Sequence, residues 1–277
     1  MKKSIAFAGA VVLAAVLLVL PVGAKAEMYV EAYLGGTLTS SSSQNFSTYT
    51  ASPTLGLSRA FTHSIPGTFD PSVVGGLKIG TWFVKEGVLG YNYPDWMKYL
   101  GFYLDFSYHR LDMRRQSTSS FVITNDIGPG VSNGEWFSEG NAATLAFMFA
   151  FRYGFLPDSE VPFGRLQPYI AVGPAILFAS QNPTFHTGDF TNGLFGRTLE
   201  GGSKSGAFIA LALDAGIRWM ALKNVSIDVF FNYRYAQPSF SYTSQDNFGP
   251  IGFTPQSFTL NPTYHIFSGN VGAAYHF

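Results

Sequence analysis

Apolar and polar residues alternate along most of this chain. After a first apolar run, Ile5 to Leu20, no stretch is long and apolar enough to cross a bilayer as a helix. Instead, alternating segments of about 10–15 residues are separated by Gly, Ser, Pro and Asn clusters. The alternation predicts eight strands, over 28–40, 72–84, 99–112, 142–155, 167–180, 206–220, 224–241 and 263–277. The intervals at 41–71, 113–141, 181–205 and 242–262 are long and rich in turn residues, whereas those at 85–98, 156–166 and 221–223 are shorter. Long connections at one end and short ones at the other predict an all-β, eight-stranded antiparallel up-and-down barrel with long extracellular loops and both termini on the periplasmic side.

Which face is greasy separates two barrels. In strand three, Leu100, Phe102, Leu104, Phe106 and Tyr108 share one face, opposite Gly101, Tyr103, Asp105, Ser107 and His109. In strand four, Leu145, Phe147, Phe149, Phe151 and Tyr153 oppose Thr144, Ala146, Met148, Ala150 and Arg152. A soluble lipocalin-like barrel would turn the large apolar face inward, but an eight-stranded interior has room only for ordinary side-chain filling. Its outside would then be a Gly/Ala surface with too few charges. A membrane barrel meets neither difficulty, because the apolar face meets lipid. Tyr153, Trp219, Tyr233 and Tyr235 lie near strand ends, where interfacial aromatic girdles form.

Composition sharpens this. The chain has 277 residues, 47% hydrophobic, 17% aromatic and 12% charged, against roughly 25% charged in an ordinary soluble domain. That excludes a disordered chain or a coiled coil, and the zero formal charge gives no basic footprint for nucleic acid. Cysteine is absent, so disulfides and thiolate chemistry are excluded. Lys2 and Lys3, the apolar run, Pro21 and Ala24-Lys25-Ala26 have the three-part layout of a secretory signal peptide over 1–26; a membrane anchor is the alternative. The barrel then occupies 27–277 and is mildly acidic, because the leader removes Lys2, Lys3 and Lys25.

Three stretches carry a resemblance: Gly75-Gly76-Leu77-Lys78-Ile79-Gly80-Thr81-Trp82-Phe83, Pro162-Phe163-Gly164-Arg165-Leu166-Gln167-Pro168-Tyr169, and Ala273-Ala274-Tyr275-His276-Phe277. The chain resembles the eight-stranded outer-membrane β-barrel superfamily, whose members include OmpA-type, OmpX-type and OmpW-type barrels and the opacity-like porin family. The resemblance implies placement in the cell outer membrane. Tyr275 and the final Phe277 resemble the signal read by the barrel-assembly machinery. Fold resemblance of this kind assigns architecture far better than activity.

Inward positions of the predicted strands carry Glu31, Lys78, Asp105, Arg152, Asp214, Arg218, Asp228 and Arg234, a set that sums to zero. Lys78 and Asp105 fall at similar height on neighbouring strands, as do Arg218 and Asp228 across the tight turn at 221–223. Charges kept from lipid pair with one another, so these residues are expected to form an ion-pair network that partly plugs the barrel. Asp105, Ser107 and His109 on one face invite a triad reading. However, i and i+2 positions on a strand stand about 7 Å apart, too far for an easy Ser–His hydrogen bond.

The five histidines show no metal-ligand spacing, and no metal or cofactor is expected. Asp126, Glu135 and Glu139 read as a solvated face rather than a cation site. Phe240, Tyr242, Phe248, Phe253 and Phe258 in the fourth long interval either fold over the barrel mouth or contact a ligand. The expected function is therefore non-enzymatic, membrane-structural or surface-interacting, in a monomer whose partners are outer-membrane lipids and the barrel-assembly machinery. A small channel and a lipid-modifying enzyme are the alternatives.

Overall fold

A computed structural model describes residues 27–52, 56–84, 93–247 and 253–277. The leader expected over 1–26 lies outside the described residues. In chain order the strands are β1 (Glu27–Ser41), β2 (Gln44–Ser52), β3 (Leu57–Ile65), β4 (Ser72–Trp82), β5 (Leu100–Arg110), β6 (Met113–Thr124) and β7 (Gly130–Arg152). There follow β8 (Leu166–Thr187), β9 (Thr198–Glu200), β10 (Lys204–Leu222), β11 (Val225–Ala236), β12 (Phe240–Asn247), β13 (Phe253–Leu260) and β14 (Tyr264–His276).

Eight of these close a ring, each strand antiparallel to its neighbours: β1, β4, β5, β7, β8, β10, β11 and β14, with β14 returning to β1. They overlap the eight segments that the alternation predicts. Period-two side chains sort by face. Leu34, Phe149, Ile170, Leu211, Val229 and Val271 point out and are exposed, while Glu31, Lys78, Asp105, Asp214 and Asp228 point in and are buried. The large apolar side chains thus line the outside. The soluble-barrel alternative fails here, since it needs the reverse.

The short-turn end is tied down locally. Lys223 and Asn224 alone join β10 to β11. Asn224 accepts the His276 backbone N–H and donates its side-chain amide to the His276 carbonyl, which ties the turn to β14. Between β7 and β8, Asp158 accepts the backbone N–H groups of Val161 and Glu160 and pairs with Arg165. The Val161 donor first, and Arg165 second, hold its carboxyl below the usual carboxylate range. Trp96, Tyr153, Trp219 and Tyr275 sit exposed near this rim.

Within the long intervals the described residues are largely strand. β2–β3, β6 with the upper half of β7, and the upper half of β8 with β9 are hairpins or extensions that continue the wall past the barrel, while β12–β13 is a separate hairpin. Their inward positions build an aromatic core: Phe46, Phe61, Trp136, Phe185, Tyr242 and Phe258 are all buried. Phe46 stacks on Phe258 at 4.8 Å between ring centroids, so the separate β12–β13 hairpin is held against β2. Phe240, Tyr242 and Phe258 therefore turn inward over the mouth; Phe248 and the Phe253 side chain lie outside the described residues. His63 is sealed between Phe46 and Phe185, with Nδ1 2.8 Å from Ser120 Oγ. Burial, then the nearby Arg197 charge, pushes its imidazole down to about 3.

Candidate functional site

All eight charges anticipated for the interior are buried inside the barrel, yet they do not form one set. Arg152, from β7, sits at the base of the barrel, at the short-turn end. Its guanidinium grips both oxygens of Glu27 at 2.7 and 2.5 Å and lies 4.1 Å from the ring centroids of Trp82 and of Phe163. A bidentate Arg–carboxylate pair with stacked rings is the strongest form of such a contact. Glu27 belongs to this site although the sequence reading left it out. It falls just after the expected leader cut, where a strand is hard to foresee.

The other seven join into a network above that base. Arg218 Nη2 bonds Glu31 at 2.5 Å and Asp228 at 3.0 Å. Lys78 Nζ lies 3.6 Å from Glu31 and 3.9 Å from Asp214, and it stands 3.1 Å from the centroid of the Phe230 ring. Arg234 bonds Asp105 at 2.5 Å and Asp214 at 2.6 Å. Tyrosines complete the acceptors: Tyr33 donates to Asp105 at 2.6 Å, Tyr103 to Asp214 at 2.7 Å and Tyr169 to Asp228 at 3.0 Å. Tyr103 reads as inward in the sequence, but no partner can be given there to any of the three, because an inward Tyr looks like ordinary filling.

Ring order gives the network its meaning. β4 stands opposite β10, and β5 opposite β11. The Lys78–Asp214 and Arg234–Asp105 pairs therefore run across the bore, not along the wall. Lys78 and Asp105 are register partners, as height-counting predicts, but they do not choose each other; each reaches over the lumen instead. Arg218 and Asp228, also register partners, do pair. A side chain in a narrow closed barrel is as near to the far wall as to its neighbour.

The triad candidates are drawn into this packing. Asp105 is bound by Arg234 and Tyr33, and among the described residues no hydrogen bond joins Ser107 to His109. Asp126 pairs with Arg59 and Glu135 with Arg115. No group of three or more potential metal ligands comes together among the described residues.

No family model and no curated protein matches the chain. Solved structures that are similar to it include a major outer membrane protein from Thermus thermophilus, at 13% identity and TM-score 0.44, covering 91% of this chain and 100% of that one. The outer membrane protein OprG from Pseudomonas aeruginosa is 14% identical with TM-score 0.35, covering 92% and 98%. Neisserial surface protein A is 13% identical with TM-score 0.35, covering 88% and 95%. Likenesses this distant add nothing to the strand pairing and burial, which stand on their own. Eight strands closed on themselves, with large apolar side chains outside and ion pairs within, give this chain the fold and the outer face of an eight-stranded transmembrane β-barrel.

Proposed function

We propose that this barrel is closed to solutes and non-catalytic, and that it serves the membrane as a rigid anchor for the extracellular strand extensions, in a structural or surface-interaction role. The observation that carries the reading is the pair of ion bridges across the bore, Lys78–Asp214 and Arg234–Asp105. A conducting path would need a continuous lining with an excess of one sign. Here both signs meet in the middle, with Tyr33, Tyr103 and Tyr169 filling between them. Outer-membrane lipids cover the outer face. The barrel-assembly machinery inserts the chain, with Tyr275 and Phe277 at the lipid-facing end of the last strand. Every barrel strand has both neighbours within this one chain, which supports a monomer.

Purified protein in planar bilayers tests the closed bore. The expected outcome is no steady open-channel current, with rare brief openings at most. Large, steady currents from the wild type would refute it, and liposome swelling with small sugars gives an independent reading. Hydrolysis of outer-membrane lipid acyl chains by the wild type, abolished in Ser107→Ala, would overturn the non-catalytic part.

A further inference from the structure

Sorting the interior charges by partner leaves a surplus. Glu27 takes Arg152 at the base. Above it, among the described residues, four buried carboxylates (Glu31, Asp105, Asp214 and Asp228) face three buried cations, Lys78, Arg218 and Arg234. An uncompensated charge in such a place is costly. The surplus is localised. Asp105 and Asp214 are each held by Arg234 and by a tyrosine, and Asp214 also accepts Asn232 at 2.6 Å. Glu31 and Asp228 instead share one guanidinium nitrogen, Arg218 Nη2, with Tyr169 donating to Asp228 and Lys78 Nζ 3.6 Å from Glu31.

Two oxygens are left over. Glu31 Oε1 and Asp228 Oδ1 are buried and accept no hydrogen bond. The two carboxyl groups nevertheless meet at Arg218, with Glu31 Oε2 at 2.5 Å and Asp228 Oδ2 at 3.0 Å from the same Nη2. Gly272 permits this approach. It is the register partner of Asp228, and a Cβ there would stand 2.8 Å from Glu31 Oε1. Two adjacent buried carboxyl groups that share one guanidinium nitrogen, each with an oxygen that accepts no hydrogen bond, lack a hydrogen.

We propose that Glu31 and Asp228 share one proton, which supplies the network's fourth positive charge and locks the plug. The acid O–H of one carboxyl donates to the carboxylate of the other, as in any close carboxyl pair that cannot ionise twice. Facing the pair are Arg218 from β10, Lys78 from β4, Tyr169 from β8 and Tyr29 from β1, whose ring centroid lies 4.2 Å from the Arg218 guanidinium carbon. His276 of β14 lies toward the base, 3.8 Å from Glu27. Without the proton, two anions would bear on one guanidinium nitrogen and the layer would loosen. The lock rests on the closed-bore reading; the proton itself does not.

Infrared spectroscopy of the full chain in lipid vesicles at neutral pH tests the proton. A protonated-carboxyl stretch is expected that shifts in D2O and is lost in Glu31→Gln and in Asp228→Asn. Glu31→Gln should keep wild-type thermal stability, because its amide N–H stands in for the acid proton, and should lose the wild type's fall in stability at alkaline pH. The proposal is overturned if the wild type shows no such band, if the band survives in both variants, or if nitrogen NMR finds His276 doubly protonated. It is equally overturned if stability depends on replacing sodium with a bulky organic cation, since a bound metal ion would then supply the charge. A conducting wild type that still shows the band would remove the closed bore and leave the proton standing.

Discussion

Arg234 reaches across the lumen to Asp105 and back to Asp214, so its removal strands two carboxylates at once. Breaking a buried pair from one side leaves an uncompensated charge and costs about 3–5 kcal/mol. Arg234→Met should lower the unfolding free energy, read by urea titration of refolded protein in lipid, by an amount of that order, whereas Arg110→Met should change little. The Arg110–Asp112 pair is solvated, with the arginine side chain 68% exposed. Equal effects from the two variants would contradict this. At this scale the sequence was half informative. Inward position was legible from strand parity, so Glu31, Lys78, Asp105, Asp214, Arg218, Asp228 and Arg234 could be picked out. Partners were not, because cross-bore pairing depends on how the strands stagger when the ring closes, and no local spacing encodes that.

Among the elements, the β7–β8 ladder carries a break. Its register runs from Leu145↔Ile176 and Ala146↔Ala175 to Phe149↔Val172, skipping the positions opposite Gly173 and Pro174. Pro174 has no N–H to give the ladder. Gly173 lets the strands close over the gap, since a Cβ there would collide with the Phe147 carbonyl oxygen. Gly173→Ala should therefore impair barrel closure, read as a loss of the folded, heat-modifiable form on cold electrophoresis. Gly36→Ala, which meets nothing within 4 Å, should fold as wild type and is the control. The barrel strands were legible because lipid demands an unbroken apolar face, as in Leu145, Phe147, Phe149 and Phe151. The strands beyond the membrane were not. β2 and β6 alternate too, with Phe46 and Thr48 inward and Ser47 and Tyr49 outward, but their outer faces are rich in hydroxyls and look like turn residues.

Taken whole, the molecule has two cores that respond differently to acid: an ionic one within the membrane and an aromatic one above it. His63 is neutral in the folded upper core down to about pH 3, whereas the unfolded imidazole takes up a proton near its ordinary value. The unfolded form therefore gains protons first as pH falls through that window. Stability of the upper core, fully present above the ordinary imidazole value, drops by about 1.4 kcal/mol per pH unit until the folded value is reached. Protease nicking in the extensions should rise on acidification while the membrane strands stay protected, and His63→Gln should flatten the trend. Nicking that ignores pH would count against it. The extensions also have a consequence of height. β7 spans 23 residues, about 75 Å of strand at roughly 3.3 Å per residue. With a tilt of about 40° it rises about 57 Å, and the apolar band takes about 25 Å of that. What remains is a turret clear of the lipid headgroups, faced with hydroxyl pairs such as Ser47–Thr62 and Ser241–Thr259. Whatever approaches from that side meets those hydroxyls first, and a change among them touches nothing at membrane depth.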